Sequence, residues 1–128
     1  MPAPSRNGFL SPFRYPGGKS WFVKTARRWL VSQPCRPKIL VEPFAGGAGI
    51  SLDAVHEKLV DLAVFAEIDR DVAATWKTIL NGEAKWLAEE ITSFRISRKK
   101  VEKVLARTPA TQRRRAFRCL GIGLHGEV

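Results

Sequence analysis

Apolar and polar positions change their period along the chain, and the changes mark its elements. Residues 1–17 show no period and are rich in Pro, Gly and Ser, which reads as an extended arm. Over 19–31, Phe22, Ala26, Trp29 and Leu30 recur at i, i+4, i+7 and i+8 and form one apolar helical face, with Lys24, Arg27 and Arg28 largely elsewhere. Pro34 and Pro37 stop that helix. Lys-Ile-Leu-Val-Glu at 38–42 reads as a short buried strand, 45–49 as a glycine turn, 50–58 as a helix and 61–66 as a second strand. A helix is expected over 70–80, with Val72, Ala73, Trp76, Ile79 and Leu80 on one face. Asp69 or Asp71 caps its start, and Asn81-Gly82 ends it. Residues 83–92, 97–107 and 109–120 all read as helical. Ser97 and Thr108-Pro109 open the last two, and no further strand or internal repeat is evident.

Helix, strand–turn–helix, then strand–helix is the order of half a doubly wound α/β sheet. Two strands alone do not stabilise a sheet of that kind. The 128 residues, 45% hydrophobic and 27% charged, suit one domain or part of a larger one. No apolar stretch is long enough for a bilayer, and Met1–Phe13 holds no signal-peptide core, so a cytoplasmic protein without membrane contact is expected. Cys35 and Cys119 make neither a disulfide framework nor a metal spacing. His56 and His125 are solitary. Asp53, His56 and Glu57 share a helix without further support for a metal, and none is expected.

Charge divides the chain. The net is +10, but residues 1–38 hold eight Lys or Arg and no acid. Residues 39–94 hold four against ten acids, and residues 95–118 hold ten against one. Two basic flanks favour a polyanionic partner over two solvated faces, and nucleic acid is the commonest. The acidic middle reads as a module with a different task.

That middle carries the most chemistry. A strand runs into Gly46-Gly47-Ala48-Gly49 and a helix opens, the place where α/β sheets bind nucleotide-like cofactors. The GGxG spacing is displaced from the dinucleotide fingerprint, which weakens an NAD(P)-dependent oxidoreductase and favours a cofactor without phosphates. Glu67 lies 21 residues after Gly46, a distance that suits a carboxylate for ribose hydroxyls. Taken singly, the turn is an ordinary connection, Glu67 a surface acid and Asp69 a helix cap; together they favour a nucleoside-type cofactor. Gly17-Gly18-Lys19-Ser20 ends like a P-loop, but Phe13 stands where that loop needs glycine, so ATP binding is rejected.

Pro12-Phe13-Arg14-Tyr15-Pro16-Gly17-Gly18-Lys19, Val41-Glu42-Pro43-Phe44-Ala45-Gly46-Gly47-Ala48-Gly49 and Ala66-Glu67-Ile68-Asp69-Arg70-Asp71-Val72 follow one another in an order that resembles the Dam-like adenine-specific DNA methyltransferases. The resemblance covers roughly residues 12–80. It implies a Rossmann-like, S-adenosylmethionine-dependent methyltransferase fold, with residues 1–82 the first part of the cofactor domain. Tyr15 and Lys19 stand at the family's aromatic and lysine. Glu42, Pro43, Phe44, Gly46 and Gly47 match the motif around the methionine part, and Glu67 takes the place of the ribose-binding Asp. Residues 83–128 resemble the start of a helical target-recognition region. There Arg98, Lys99, Lys100, Lys103, Arg107, Arg113, Arg114, Arg115 and Arg118 are phosphate-contact candidates on double-stranded DNA.

The family's catalytic Pro-Pro-aromatic motif has no counterpart, since no two of the eight prolines are adjacent, and no catalytic residue is assigned. The resemblance therefore implies a chain truncated or shifted in frame at about 121–128, doubtful as an enzyme by itself, with apolar faces around Val41, Val64 and Phe65 left uncovered. A non-catalytic basic DNA-binding protein derived from such an enzyme is the alternative. Neither the recognised DNA sequence nor the oligomeric state is legible.

Overall fold

The two apolar runs that read as strands do pair. In a computed structural model, which describes residues 10–13 and 18–122, β1 (Ile39–Glu42) lies parallel to β2 (Leu62–Phe65) in a two-stranded sheet. Parallel neighbours need a crossover, and α2 (Gly49–His56) supplies it. The chain is a mixed α/β structure that divides into two compact units, Met1–Ala66 and Glu67–Val128.

In the first unit a 3-10 turn, Ser20–Phe22, leads into α1 (Val23–Val31), and the core is Leu30, Ala54 and Val60 with Leu40 and Leu59 packed on them. The buried side of α1 differs from the expected one. Ala26 and Leu30 are buried and Val23 is half-buried, whereas Phe22 and Trp29 are exposed. Successive helical residues lie about 100° apart, so seating Leu30 at the centre of the core turns Trp29 out of it. Arg27 grips Asp53 of α2 from above, with Nε 3.1 Å from Oδ2 and Nη2 2.5 Å from Oδ1.

The strand at 38–42 is not fully buried as expected, whereas the uncovered apolar faces expected at Val41 and Val64 are present. Glu42 faces inward and Leu40 is half-buried against the core, but Ile39, Val41, Leu62 and Val64 are exposed. Ile39 pairs with Leu62 and Val41 with Val64, so the open side is continuous and apolar, while Phe65 is half-buried. Within this unit α2 packs on both strands from one side, and among the described residues no element of the unit packs on the other.

In the second unit α3 (Arg70–Thr78) starts at Asp69, whose Oδ1 accepts from the amides of Asp71 at 2.9 Å and Val72 at 3.2 Å. Its buried residues are Val72, Ala74, Thr75, Trp76 and Thr78; Ala73 and Ile79 are half-buried and Leu80 is exposed. The two threonines tolerate burial because their hydroxyls donate to the carbonyls of Asp71 and Ala74, one turn back. Gly82, at a φ of 86°, is non-helical and kinks the chain between the turn Ile79–Glu83 and α4 (Ala84–Ser93), as the stop expected at Asn81-Gly82 requires. Ser97 caps α5 (Arg98–Leu105), as expected. The last helix, α6 (Gln112–Ala116), begins at Thr111 instead of Thr108-Pro109. Pro109 is buried in a non-helical connection, and it is Thr111 whose hydroxyl accepts from the amide of Arg114. A π-type turn, Phe117–Ile122, follows, with the Phe117 ring edge-on to Phe94 and with Leu120, Gly121 and Ile122 buried. No helix among the described residues is long and apolar enough to cross a membrane.

Urea unfolding separates the two kinds of apolar residue. Leu30→Ala is expected to cost about 2–5 kcal/mol, whereas Val41→Thr and Val64→Thr, exposed and still β-branched, shift stability by about 0.5 kcal/mol or less.

Candidate functional site

The glycine turn takes its shape from a capping problem. The first amides of α2 point out of the helix, and its N-cap residue, Ala48, has no side-chain acceptor. Glu42, at the end of β1, supplies the acceptor from a distance: its Oε2 takes hydrogen bonds from the Ser51 amide at 3.0 Å and the Ser51 hydroxyl at 2.5 Å. The carboxylate is thereby buried at the positive end of a helix, where negative charge is favoured. Ser51, itself buried, belongs to none of the sequence motifs. Its signal is a hydroxyl in the first turn of the helix that follows the glycines.

Lys19 completes the arrangement. Its Nζ lies 3.1 Å from Glu42 Oε1 and donates to the Phe44 carbonyl at 2.8 Å. Oε1 is buried and faces the ammonium, but among the described residues no donor is aligned with it as a hydrogen bond. Two sequence motifs thus meet at one carboxylate, and the lysine ties the turn to the segment before α1. Between Glu42 and α2 the backbone enters the left-handed region at Phe44, Gly46 and Ala48, with φ of 57°, 53° and 50°. For Phe44 and Ala48 that conformation is strained. Gly47 is needed for a close approach, since a Cβ there would fall 2.7 Å from the Ser11 hydroxyl. Pro43 and Phe44 are exposed, Phe44 by 78%, so the tip of the turn presents an aromatic ring to solvent. Tyr15 lies outside the described residues.

In the second unit, Glu67 Oε1 accepts from the Asp69 amide at 2.9 Å, beside the cap of α3. The basic candidates fall into two groups. Arg115 and Arg118 are half-buried and converge on Asp71, Nη1 at 3.2 Å from Oδ1 and Nη2 at 2.6 Å from Oδ2. Arg113 pairs with Glu83 at 2.7 Å and lies over the Trp86 ring, 4.8 Å from its centroid. Arg98 pairs with Glu102 along α5. In contrast, Lys99, Lys100, Lys103, Arg107 and Arg114 are exposed and make no ion pair among the described residues. Lys99 and Lys103 lie one turn apart on the exposed side of α5, with Lys100 at its edge beside Val104, while Val101 and Val104 are half-buried. Among the described residues no group of three or more His, Cys, Asp or Glu is arranged to hold a metal ion.

Compared with protein-family models, with curated proteins and with solved structures, the chain finds no match in any of the three.

The Asp71 cluster makes stability depend on pH. Partial burial raises its pKa, but hydrogen bonds and charge from Arg118 and Arg115 outweigh that and hold the carboxyl below its ordinary 3.8. A carboxyl whose folded pKa is depressed stabilises the fold in full above its unfolded pKa and loses that contribution as pH falls through the folded one. Thermal unfolding followed downward from about pH 5 is therefore expected to lose stability through the low-pH range. Asp71→Ala is expected to flatten that loss and to cost roughly 1–3 kcal/mol at neutral pH, because two half-buried guanidiniums lose their acceptor.

Proposed function

We propose that this chain is the cofactor- and DNA-binding part of an S-adenosylmethionine-dependent DNA adenine-N6 methyltransferase with a Rossmann-like fold. The observation that carries the reading is the Lys19–Glu42 pair at the mouth of the glycine turn. It joins the two most specific motifs of the resemblance at one buried carboxylate. A cofactor of this class brings a charged amino-acid end, and the residues suit it. Glu42 has no donor aligned with Oε1 among the described residues, Lys19 holds the carboxylate and the loop carbonyl, and the left-handed turn leaves the Phe44 ring exposed. When bound, the cofactor supplies an electrophilic methyl carbon. The protein's own part is to orient it and to seat DNA on the unpaired cations Lys99, Lys100, Lys103, Arg107 and Arg114.

The 128 residues contain no Pro-Pro-aromatic motif to accept protons from the target amine, so methyl transfer by the chain alone is not expected. The same observation favours the second reading, a non-catalytic basic DNA-binding protein.

Titration calorimetry with S-adenosylmethionine tests the cofactor assignment. One saturable site is expected, weakened about ten-fold or more by Glu42→Gln or Lys19→Gln in variants whose circular dichroism is native; ten-fold corresponds to about 1.4 kcal/mol. No saturable heat from the folded protein sinks it. Binding of duplex DNA without cofactor binding favours the second reading. On duplex DNA, the triple variant Lys99→Gln, Lys100→Gln, Lys103→Gln is expected to lower the salt slope by about 0.9 for each phosphate no longer neutralised.

A further inference from the structure

Helix α1 and the 3-10 turn before it carry a second surface with chemistry of its own. Trp21, Lys24, Thr25, Arg28 and Trp29 stand at i, i+3, i+4, i+7 and i+8, one side of a helix, and all five are exposed. Trp21 is 76% and Trp29 57% exposed, which is unusual for the largest apolar side chain. The Trp21 ring is held edge-on by Phe22, with ring centroids 5.4 Å apart. The cations of the helix are sorted. Arg27 is neutralised by Asp53 and Glu57, while Lys24 and Arg28, between the two tryptophans, make no ion pair among the described residues. No acid occurs anywhere in residues 1–38, so nothing along this stretch repels an anion.

We infer that this side of α1 binds single-stranded nucleic acid, with Trp21 and Trp29 stacking on unpaired bases and Lys24 and Arg28 contacting the intervening phosphates. Aromatic faces interleaved with unpaired cations are how proteins hold a strand without reading its sequence. The tryptophans are about 12 Å apart along the axis at about 1.5 Å per residue. That is several times the roughly 3.4 Å step of stacked bases, so they take separate bases of one strand. A duplex hides the faces these rings need. A membrane surface fits less well. An interfacial helix separates its apolar and charged sides, whereas here they alternate, and the apolar side, Ala26 and Leu30, is already in the core. This surface lies on another element than the duplex contacts of α5 and takes another form of nucleic acid, so it stands without the methyltransferase reading.

Fluorescence anisotropy of a labelled oligothymidylate, titrated with the whole chain at low salt, tests it. Trp21→Ala and Trp29→Ala are each expected to weaken binding roughly ten-fold, and the corresponding phenylalanine variants to retain most of it. Lys24→Gln with Arg28→Gln is expected to reduce the slope of log K against log salt by about 1.4, at about 0.7 per phosphate. Lys77→Gln with Lys85→Gln, the same charge removed elsewhere, is expected to leave it unchanged. Because Trp21 and Trp29 lie outside the core, circular dichroism is expected to stay native in every variant. The inference is overturned if the wild-type chain does not bind the oligonucleotide, or if the double alanine variant binds as well as wild type. It is equally overturned if the tryptophan dependence is found on phosphatidylglycerol vesicles and not on the oligonucleotide. None of these outcomes bears on the calorimetry with S-adenosylmethionine.

Discussion

A helix that starts at an alanine has no cap of its own, and here the missing acceptor comes from the preceding strand. The carboxylate of Glu42 spans the glycine turn to reach the amide and hydroxyl of Ser51. An N-cap contact is worth about 1 kcal/mol. A buried carboxylate without partners costs more than that, so the bond to Ser51 and the ammonium of Lys19 have to be present together. Once they are, the turn has little freedom left. Its ends are fixed by strand and helix, its middle is wound left-handed at three residues, and its Phe44 carbonyl is held by the same lysine. The site, the start of α2 and the placement of the segment before α1 all follow from one charged group.

Much of this is legible in the sequence, and what is not has a common cause. The glycine turn, the two strands, the Asp69 and Ser97 caps and the stop at Gly82 are local signals, written within a few residues of where they act. Trp29 reads as a core residue because it is large and apolar, yet which of two neighbouring residues on a helix faces inward depends on where α2 lies, and Leu30 takes that place. Thr75 and Thr78 read as polar, but each has its hydrogen bond inside the helix and behaves as a small apolar residue. The cluster on Asp71 joins residues 44 and 47 positions apart, which no periodicity reveals. It is the reason Arg115 and Arg118 differ from the other basic residues of the C-terminal helices. At the glycine turn, Lys19 and Glu42 are both visible as motif residues, while their meeting, and Ser51, are not.

The formal charge of +10 is thereby sorted into two populations. Arg27, Arg36, Arg113, Arg115 and Arg118 each face a carboxylate inside the protein and serve its structure. Among the described cations that make no ion pair, Lys24 and Arg28 share one side of α1 and Lys99, Lys100 and Lys103 stand on α5, while the others are scattered. Those of α1 alternate with tryptophan, whereas α5 has no aromatic residue among its lysines. A basic composition alone suggests an anionic partner, and this sorting distinguishes two surfaces with different ways of meeting one.

The open side of the two-stranded sheet has a further meaning in time. Each strand has a single neighbour among the described residues, and in a parallel ladder only alternate residues direct their amide and carbonyl toward it. The other backbone groups point away from that neighbour. Protection from hydrogen exchange should therefore alternate along Ile39–Glu42, slow at one residue and fast at the next. The strand that delivers Glu42 to its helix is held along one edge by β2 and on one face by α2, so the carboxylate stays in place only while both contacts do.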